Sequence, residues 1–179
     1  MAAYANRATA QTPATILYLI DVSNSMNLRM GGEADGRTRK RIDVVNECLQ
    51  EVLEVMVRRS TKGASISPRY RLNVITYGQE AKLLYPTFVT IDRFDGVEFT
   101  AGEEQTDMFA AFNLAFDILS RECAGHPRDW PAPLVCNVTD GEWTGDDPRP
   151  VGRSLLDLPV ADGQVLVHPV REDGDGRPR

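Results

Sequence analysis

Hydrophobic and polar residues along this chain fall into blocks that read alternately as strands and helices. Ile16-Leu17-Tyr18-Leu19-Ile20 is an unbroken apolar run, the pattern of a central strand covered on both faces. After a polar, glycine-bearing stretch, Ile42, Val45, Leu49, Val52 and Met56 recur at spacings of three and four among acidic and amide residues. That spacing predicts an amphipathic helix, which Gly63 ends near Ser60. Tyr70 to Tyr77 predicts a mostly buried strand. Gly78-Gln79-Glu80 is then a turn, and Ala81 to Tyr85 returns antiparallel as an edge strand closed by Pro86, which cannot donate to a ladder. An irregular stretch leads to Gln105. Met108, Phe112, Ala115, Phe116 and Leu119 mark a second helix, and Leu134 to Val138 a further strand ending in Thr139-Asp140-Gly141. Asp146-Asp147-Pro148 predicts the start of a short helix through Leu155 and Leu156. Gln164 to His168 is the last strand candidate.

This alternation predicts an α/β fold, a Rossmann-like three-layer sandwich with a mostly parallel sheet and one antiparallel edge strand. Residues 14–168 form the expected domain, after a flexible lead-in (1–13) and before a Gly-, Pro- and charge-rich disordered tail (169–179). In such sheets ligands sit beyond the carboxyl ends of the strands, where strand order reverses. Asp21 and Asp140 each end a predicted strand, so they share one crevice if those strands are neighbours.

Composition narrows the function classes. The 179 residues are 42% hydrophobic and 26% charged, with a net charge of −6, a soluble globular profile that argues against a nucleic-acid partner. No apolar stretch approaches the roughly 20 residues of a membrane span, and no secretory h-region is evident. The one basic cluster, Arg37, Arg39, Lys40 and Arg41, lies at the first helix entrance and reads as a solvated helix start or a contact for an acidic partner. Cys48, Cys123 and Cys136 are odd in number and set in apolar segments, which favours a reducing, cytoplasmic setting without disulfides.

The candidate chemistry begins at Asp21-Val22-Ser23-Asn24-Ser25. One carboxylate and two hydroxyls at alternate positions after a strand offer hard oxygen donors of the kind a small divalent cation takes, and magnesium suits them best. Taken singly, the two serines also read as turn caps and Asp140-Gly141 as an ordinary turn. Together with Thr106 in Gln105-Thr106-Asp107 and Asp140 in Thr139-Asp140-Gly141, the set resembles the metal ion-dependent adhesion site of the von Willebrand factor type A domain. The resemblance covers about residues 14–168. It implies that Ser23 and Ser25 bind the metal directly, Thr106 directly or through water, and Asp21 and Asp140 close by or through water. It further implies a non-catalytic scaffold or adaptor that binds a protein partner through an acidic side chain completing the shell of Mg2+, with Mn2+ or Ca2+ as substitutes. The absence of a signal and of disulfides makes the chain resemble the intracellular microbial members.

Several side readings accompany this one. Asp107 fits the first turn of a helix, where the dipole favours a carboxylate. Glu142 and Trp143 pack the loop or meet a partner. The rival function is a metal-dependent hydrolase or phosphatase in the same crevice. Against it, Ser23 stands where a phosphotransferase would place a second carboxylate, His126 and His168 lack recognisable partners, and Gly31-Gly32 is not followed by a phosphate-loop lysine. The expected fold lacks the last strand and helix usual in the family. A cut chain, a naturally shortened one with impaired function, or one completed by a partner would each account for that.

Overall fold

The computed structural model describes residues 4–30, 38–125, 127–141 and 143–171. Its centre is β1 (Ala14–Asp21), paired in parallel with β2 (Tyr70–Tyr77) on one side and β5 (Leu134–Thr139) on the other. β6 (Leu166–Arg171) adds in parallel outside β5. Two short strands, β3 (Ala81–Leu83) and β4 (Val89–Thr90), run antiparallel along different stretches of the free edge of β2. The sheet order is therefore β6-β5-β1-β2-β3, with β4 also on β2.

The mostly parallel α/β sandwich expected from the alternation is the observed fold, with one addition. β4 lies in the stretch read as irregular, because two residues carry no periodicity. Asn73 helps fix this edge: its amide donates to the Tyr85 carbonyl at 3.0 Å.

Alternation along β1 divides the core in two. Ile16, Tyr18 and Ile20 face α1 (Arg41–Ser60) and its Val45, Leu49 and Leu53, whereas Leu17 and Leu19 join Ile75 and Val135 beneath α2 (Met108–Ala124). α3 (Arg149–Leu156) adds Leu155 to that second layer. Each such side chain contributes about 1.5–3 kcal/mol by leaving water. A strand with both faces under helices must be apolar throughout, which is why Ile16–Ile20 does not alternate.

The α1 face differs from the predicted one at one position. Leu53 is buried, while Val52 is 44% exposed; Leu49 and Leu53 are spaced by four, which keeps the stripe on the sheet as it drifts around a helix of 3.6 residues per turn. Val52 instead borders an apolar cleft of about 400 Å3 with Tyr18, Met56, Leu134, Cys136 and Val138. Phe116 of the predicted α2 face is only partly buried, and Ala111 and Cys123 take the inner positions. Asp107 caps α2 by accepting the Ala110 amide at 2.8 Å.

Both ends of the chain depart from the expected boundaries. β6 continues to Arg171, three residues past the anticipated end. In the segment expected as a flexible lead-in, the amides of Ala5 and Asn6 donate to Asp162 Oδ1 at 2.8 and 3.0 Å, and the Ala8 carbonyl accepts from Arg69. Buried carboxylates take up backbone N–H groups readily, and this one ties the segment to the sheet. The readings placed on Gly31-Gly32, Arg37, His126, Glu142 and the elements beyond residue 171 lie outside the described residues.

Candidate metal centre

The strand order places the reversal between β1 and β5, and the loops after these two strands open at the same end of the sheet. A crevice at that point is the expected ligand position in an open α/β sheet. Asp21 ends β1 fully buried. Its Oδ1 accepts the Ser23 amide and its Oδ2 the Thr139 hydroxyl, each at 2.9 Å. Thr139 thus links the end of β5 to the end of β1, and its alternation with the buried Asn137 is the signal that would have singled it out.

Ser23 and Ser25 hydroxyl oxygens stand 2.9 Å apart. A 3-10 turn, Asn24–Asn27, begins immediately after Ser23 and turns both side chains to one side. Their hydroxyls partner each other and not an imidazole; His168 lies exposed on β6. Lone pairs remain on both, so the pair can hold a cation.

Thr106 reaches this end of the sheet through backbone contacts. Glu103 pairs with the first loop, its carbonyl accepting the Asn24 amide at 2.6 Å, and the Asp107 amide donates to the Gly78 carbonyl at 2.7 Å. Gly78 is required there, because a Cβ would stand 2.6 Å from the Glu103 Cβ. From the loop after β5, Thr144 clasps Thr106 twice: its hydroxyl accepts the Thr106 amide at 2.9 Å, and its own amide donates to the Thr106 carbonyl at 3.0 Å.

Asp140 is held differently from Asp21. Its Oδ2 accepts the Arg41 guanidinium at 2.7 Å, while its Oδ1 is buried without a hydrogen-bond partner among the described residues. Arg41 also reaches the Ser25 carbonyl at 3.4 Å, so it bridges the first and third loops. It is the first residue of α1, set there by its amide bond to the Leu28 carbonyl. Of the basic cluster read as a solvated helix start or acidic-partner contact, Arg39 pairs with Glu47, Lys40 bonds Asn27, and Arg41 turns into the crevice. Its 99-residue separation from Asp140 left no local signal of that contact.

The electrostatics call for a cation. Burial pushes the Asp21 carboxyl above its ordinary range against the opposing pull of the Ser23 and Thr139 bonds, and the nearby Asp140 adds to the rise. Burial also raises the Tyr77 phenol behind it, with Asp21 contributing, and Tyr77 donates to Asn137 Oδ1 at 2.8 Å. A buried carboxylate oxygen with no donor costs about 1–3 kcal/mol unless something fills its need. The residues therefore fit a small hard cation: two hydroxyls, a threonine, a tethered carboxylate and one carboxylate oxygen left open. Among the described residues no group of three or more His, Cys, Asp or Glu side chains offers a competing metal site.

Beside the crevice runs a cleft of about 480 Å3, lined by Phe112, Thr139, Trp143, Arg149, Leu156 and Val167 among others. Trp143 is 36% exposed, with the Arg149 guanidinium 5.8 Å from its ring centre.

No protein-family model matches the sequence, and no curated protein does. Solved structures do. Proximal thread matrix protein 1 from the mussel byssus aligns with a TM-score of 0.57 at 18% identity, over 88% of this chain and 37% of that one. A second structure of that protein is described as having a zinc-occupied MIDAS motif. The vWF domain of the type V pili tip protein Mfa5 from Porphyromonas gingivalis aligns at 0.52 and 18% identity, over 74% of this chain and 39% of that one. BatB from Bacteroides thetaiotaomicron, a conserved hypothetical protein, aligns at 0.56 and 13% identity, over 93% of this chain and 75% of that one. The chain thus spans less than half the length of the mussel and pilus-tip structures. At these identities the likeness concerns the fold, which is of the von Willebrand factor A type.

Proposed function

From a von Willebrand factor A fold with an oxygen-lined crevice at its strand-order reversal, we propose that this chain is a non-catalytic protein-binding module whose ligand contact runs through a divalent metal. Ser23, Ser25 and Thr106 supply the neutral donors, and Asp21 and Asp140 the charge around them. The observation that carries this reading is the buried, unpartnered Oδ1 of Asp140 in the same crevice as the paired serine hydroxyls. Magnesium is the preferred ion because it takes a near-octahedral oxygen shell and keeps several waters; manganese or calcium can substitute. Few direct negative ligands leave such an ion electrophilic, so an acidic side chain of a protein partner completes its shell.

The cleft beside Trp143 supports a protein partner, since aromatic residues at the rim of a polar site are common binding anchors. A cytoplasmic setting is supported by Cys123 and Cys136, neither of which is in a disulfide. No helix is long and apolar enough to cross a membrane among the described residues.

Ser23→Ala tests the reading. Titration calorimetry with Mg2+ and Mn2+ should show at least a tenfold loss of metal affinity, since a direct ligand is removed while the Asp21 bond to the Ser23 amide remains. A partner retained on the wild-type chain in Mg2+ and released by a chelator should not be retained by the variant. Unchanged metal affinity would overturn the assignment, and phosphoester turnover lost in Asp21→Ala would replace it with the hydrolase reading.

A further inference from the structure

Arg41 has no place in the donor set, yet it touches two of the three loops that build it. Its guanidinium lies 2.7 Å from Asp140 Oδ2 and 3.4 Å from the Ser25 carbonyl, and its side chain is 30% exposed against 11% for Asp140. The contact is a partly buried, charge-assisted pair, much stronger than the exposed pairs elsewhere on the surface. Asp140 therefore already carries a fixed positive charge on one of its oxygens. Lys40, the next basic side chain, is directed to Asn27 instead.

We propose that Arg41 is the resident counter-cation of the metal crevice: paired with Asp140, it lowers the affinity of the crevice for a divalent cation. The inference rests on the metal-site reading above and deepens it. Three features of the molecule carry it. Arg41 occupies one oxygen of Asp140 and leaves the other, which is buried and has no hydrogen-bond partner among the described residues, open to an ion. An arginine cannot give up its proton at any physiological pH, so its charge opposes a dication permanently. And Arg41 is the first residue of α1, its amide bonded to the Leu28 carbonyl, so its side chain starts from the rim of the crevice.

A purely structural strut makes a different prediction. A strut that only orders the loops would, when removed, weaken metal binding by loosening Asp140. A counter-cation would, when removed, strengthen it by ending a repulsion.

The experiment is titration of the full chain with MgCl2 and MnCl2, comparing wild type, Arg41→Gln and Arg41→Lys, with Ser23→Ala/Arg41→Gln as a double variant. Arg41→Gln should bind the ions more tightly, on the order of tenfold, because a unit charge opposing a dication at close range in a partly solvated crevice has that effect. Arg41→Lys keeps the charge and should stay near wild type. The double variant should lose the gain, which locates it at the serine site. Should Arg41→Gln not fold, Arg41→Met keeps an unbranched aliphatic stem and serves in its place, with circular dichroism as the check. Equal or weaker binding by the folded neutral variant, with wild type binding normally, overturns the role of Arg41 and leaves the metal site standing. An absence of binding by wild type and every variant overturns the metal site itself. Binding by Arg41→Gln where wild type binds nothing at millimolar Mg2+ supports both.

Discussion

Asp162, at the amino-terminal end of the sheet, and Asp140, at its carboxyl-terminal end, are both largely enclosed aspartates, and the protein completes only the first. Asp162 is 7% exposed, and both of its oxygens accept backbone amides, from Ala5 and Asn6 on Oδ1 and from Ala132 on Oδ2 at 3.3 Å. Asp140 has Arg41 on one oxygen and nothing on the other. A carboxylate fully bonded to amides serves the fold, joining the first described residues to the entries of β5 and β6. One left half-bonded in a cleft, beside another carboxylate whose protonation burial favours, is poised for something the chain does not itself supply. The difference between the two ends separates stability from function in this molecule.

Removing the completed aspartate should produce the largest effect on stability. Asp162→Ala strands three backbone amides, only that of Ala132 belonging to a buried residue, and hydrogen bonds to a charged acceptor are the expensive ones to lose, so unfolding free energy should fall by about 1.5–3 kcal/mol in urea titration. Mg2+ affinity of the folded fraction should not change. A comparable loss of metal affinity would show that the two ends are one cooperative unit and would break the comparison.

The pH response should be smaller and should belong to the other end. The Asp21 carboxyl is raised in the folded chain, chiefly by burial. A carboxyl raised above its unfolded value stabilises the fold below that unfolded value, and this stability is lost as pH rises through the folded one. The metal-free chain should thus lose part of its stability on the alkaline side of the ordinary carboxylate range. A cation binds the ionised form, so the rise in melting temperature on adding Mg2+ should grow as pH is raised from about 4.5 to 7.5. Asp21→Asn should flatten both trends. A metal-induced shift of constant size across that range would remove Asp21 from the crevice chemistry.

How much of this was legible in the sequence differs between the ends for a physical reason. Ile16–Ile20 could be read as a central strand because burial on both faces leaves no polar position, and Asp21, Ser23 and Ser25 could be read together because one turn carries all three. The pairing of Asp21 with Thr139 and of Arg41 with Asp140 depends on β1 and β5 being neighbours, a fact of the sheet and not of either segment. The same holds for Thr106, whose placement rests on main-chain bonds to Gly78 and Thr144 that no side-chain pattern announces. Val52 was misplaced for a different cause: Val52 and Leu53 both continue an apolar spacing, and only packing against the sheet chooses between them. At the amino-terminal end, the docking of residues 4–8 left no trace in composition, because the bonds are made by backbone amides and carbonyls that every sequence has.

The smallest effect should come from the arginine at the base of the sheet, whose Nη2 is already paired while its Nε, like Asp140 Oδ1, is buried with no hydrogen-bond partner among the described residues. Arg71 donates to Glu122 at 2.7 Å and to the Thr15 hydroxyl at 3.0 Å, with its guanidinium 4.9 Å from the Trp130 ring centre and 5.5 Å from that of Phe88. Lysine would keep the charge and a donor but lose the planar guanidinium that lies over both rings. Arg71→Lys should therefore cost about 1 kcal/mol in urea titration and leave the Mg2+ titration curve where it was. Neutralising Arg41 should move the metal curve, which Arg71→Lys leaves in place. Two arginines, each bonded to a carboxylate at 2.7 Å, would then be told apart by the measurement each one moves. A metal affinity that shifted in Arg71→Lys would mean that charge at the base of the sheet is felt at its top, and the division between a completed end and an open one would have to be given up.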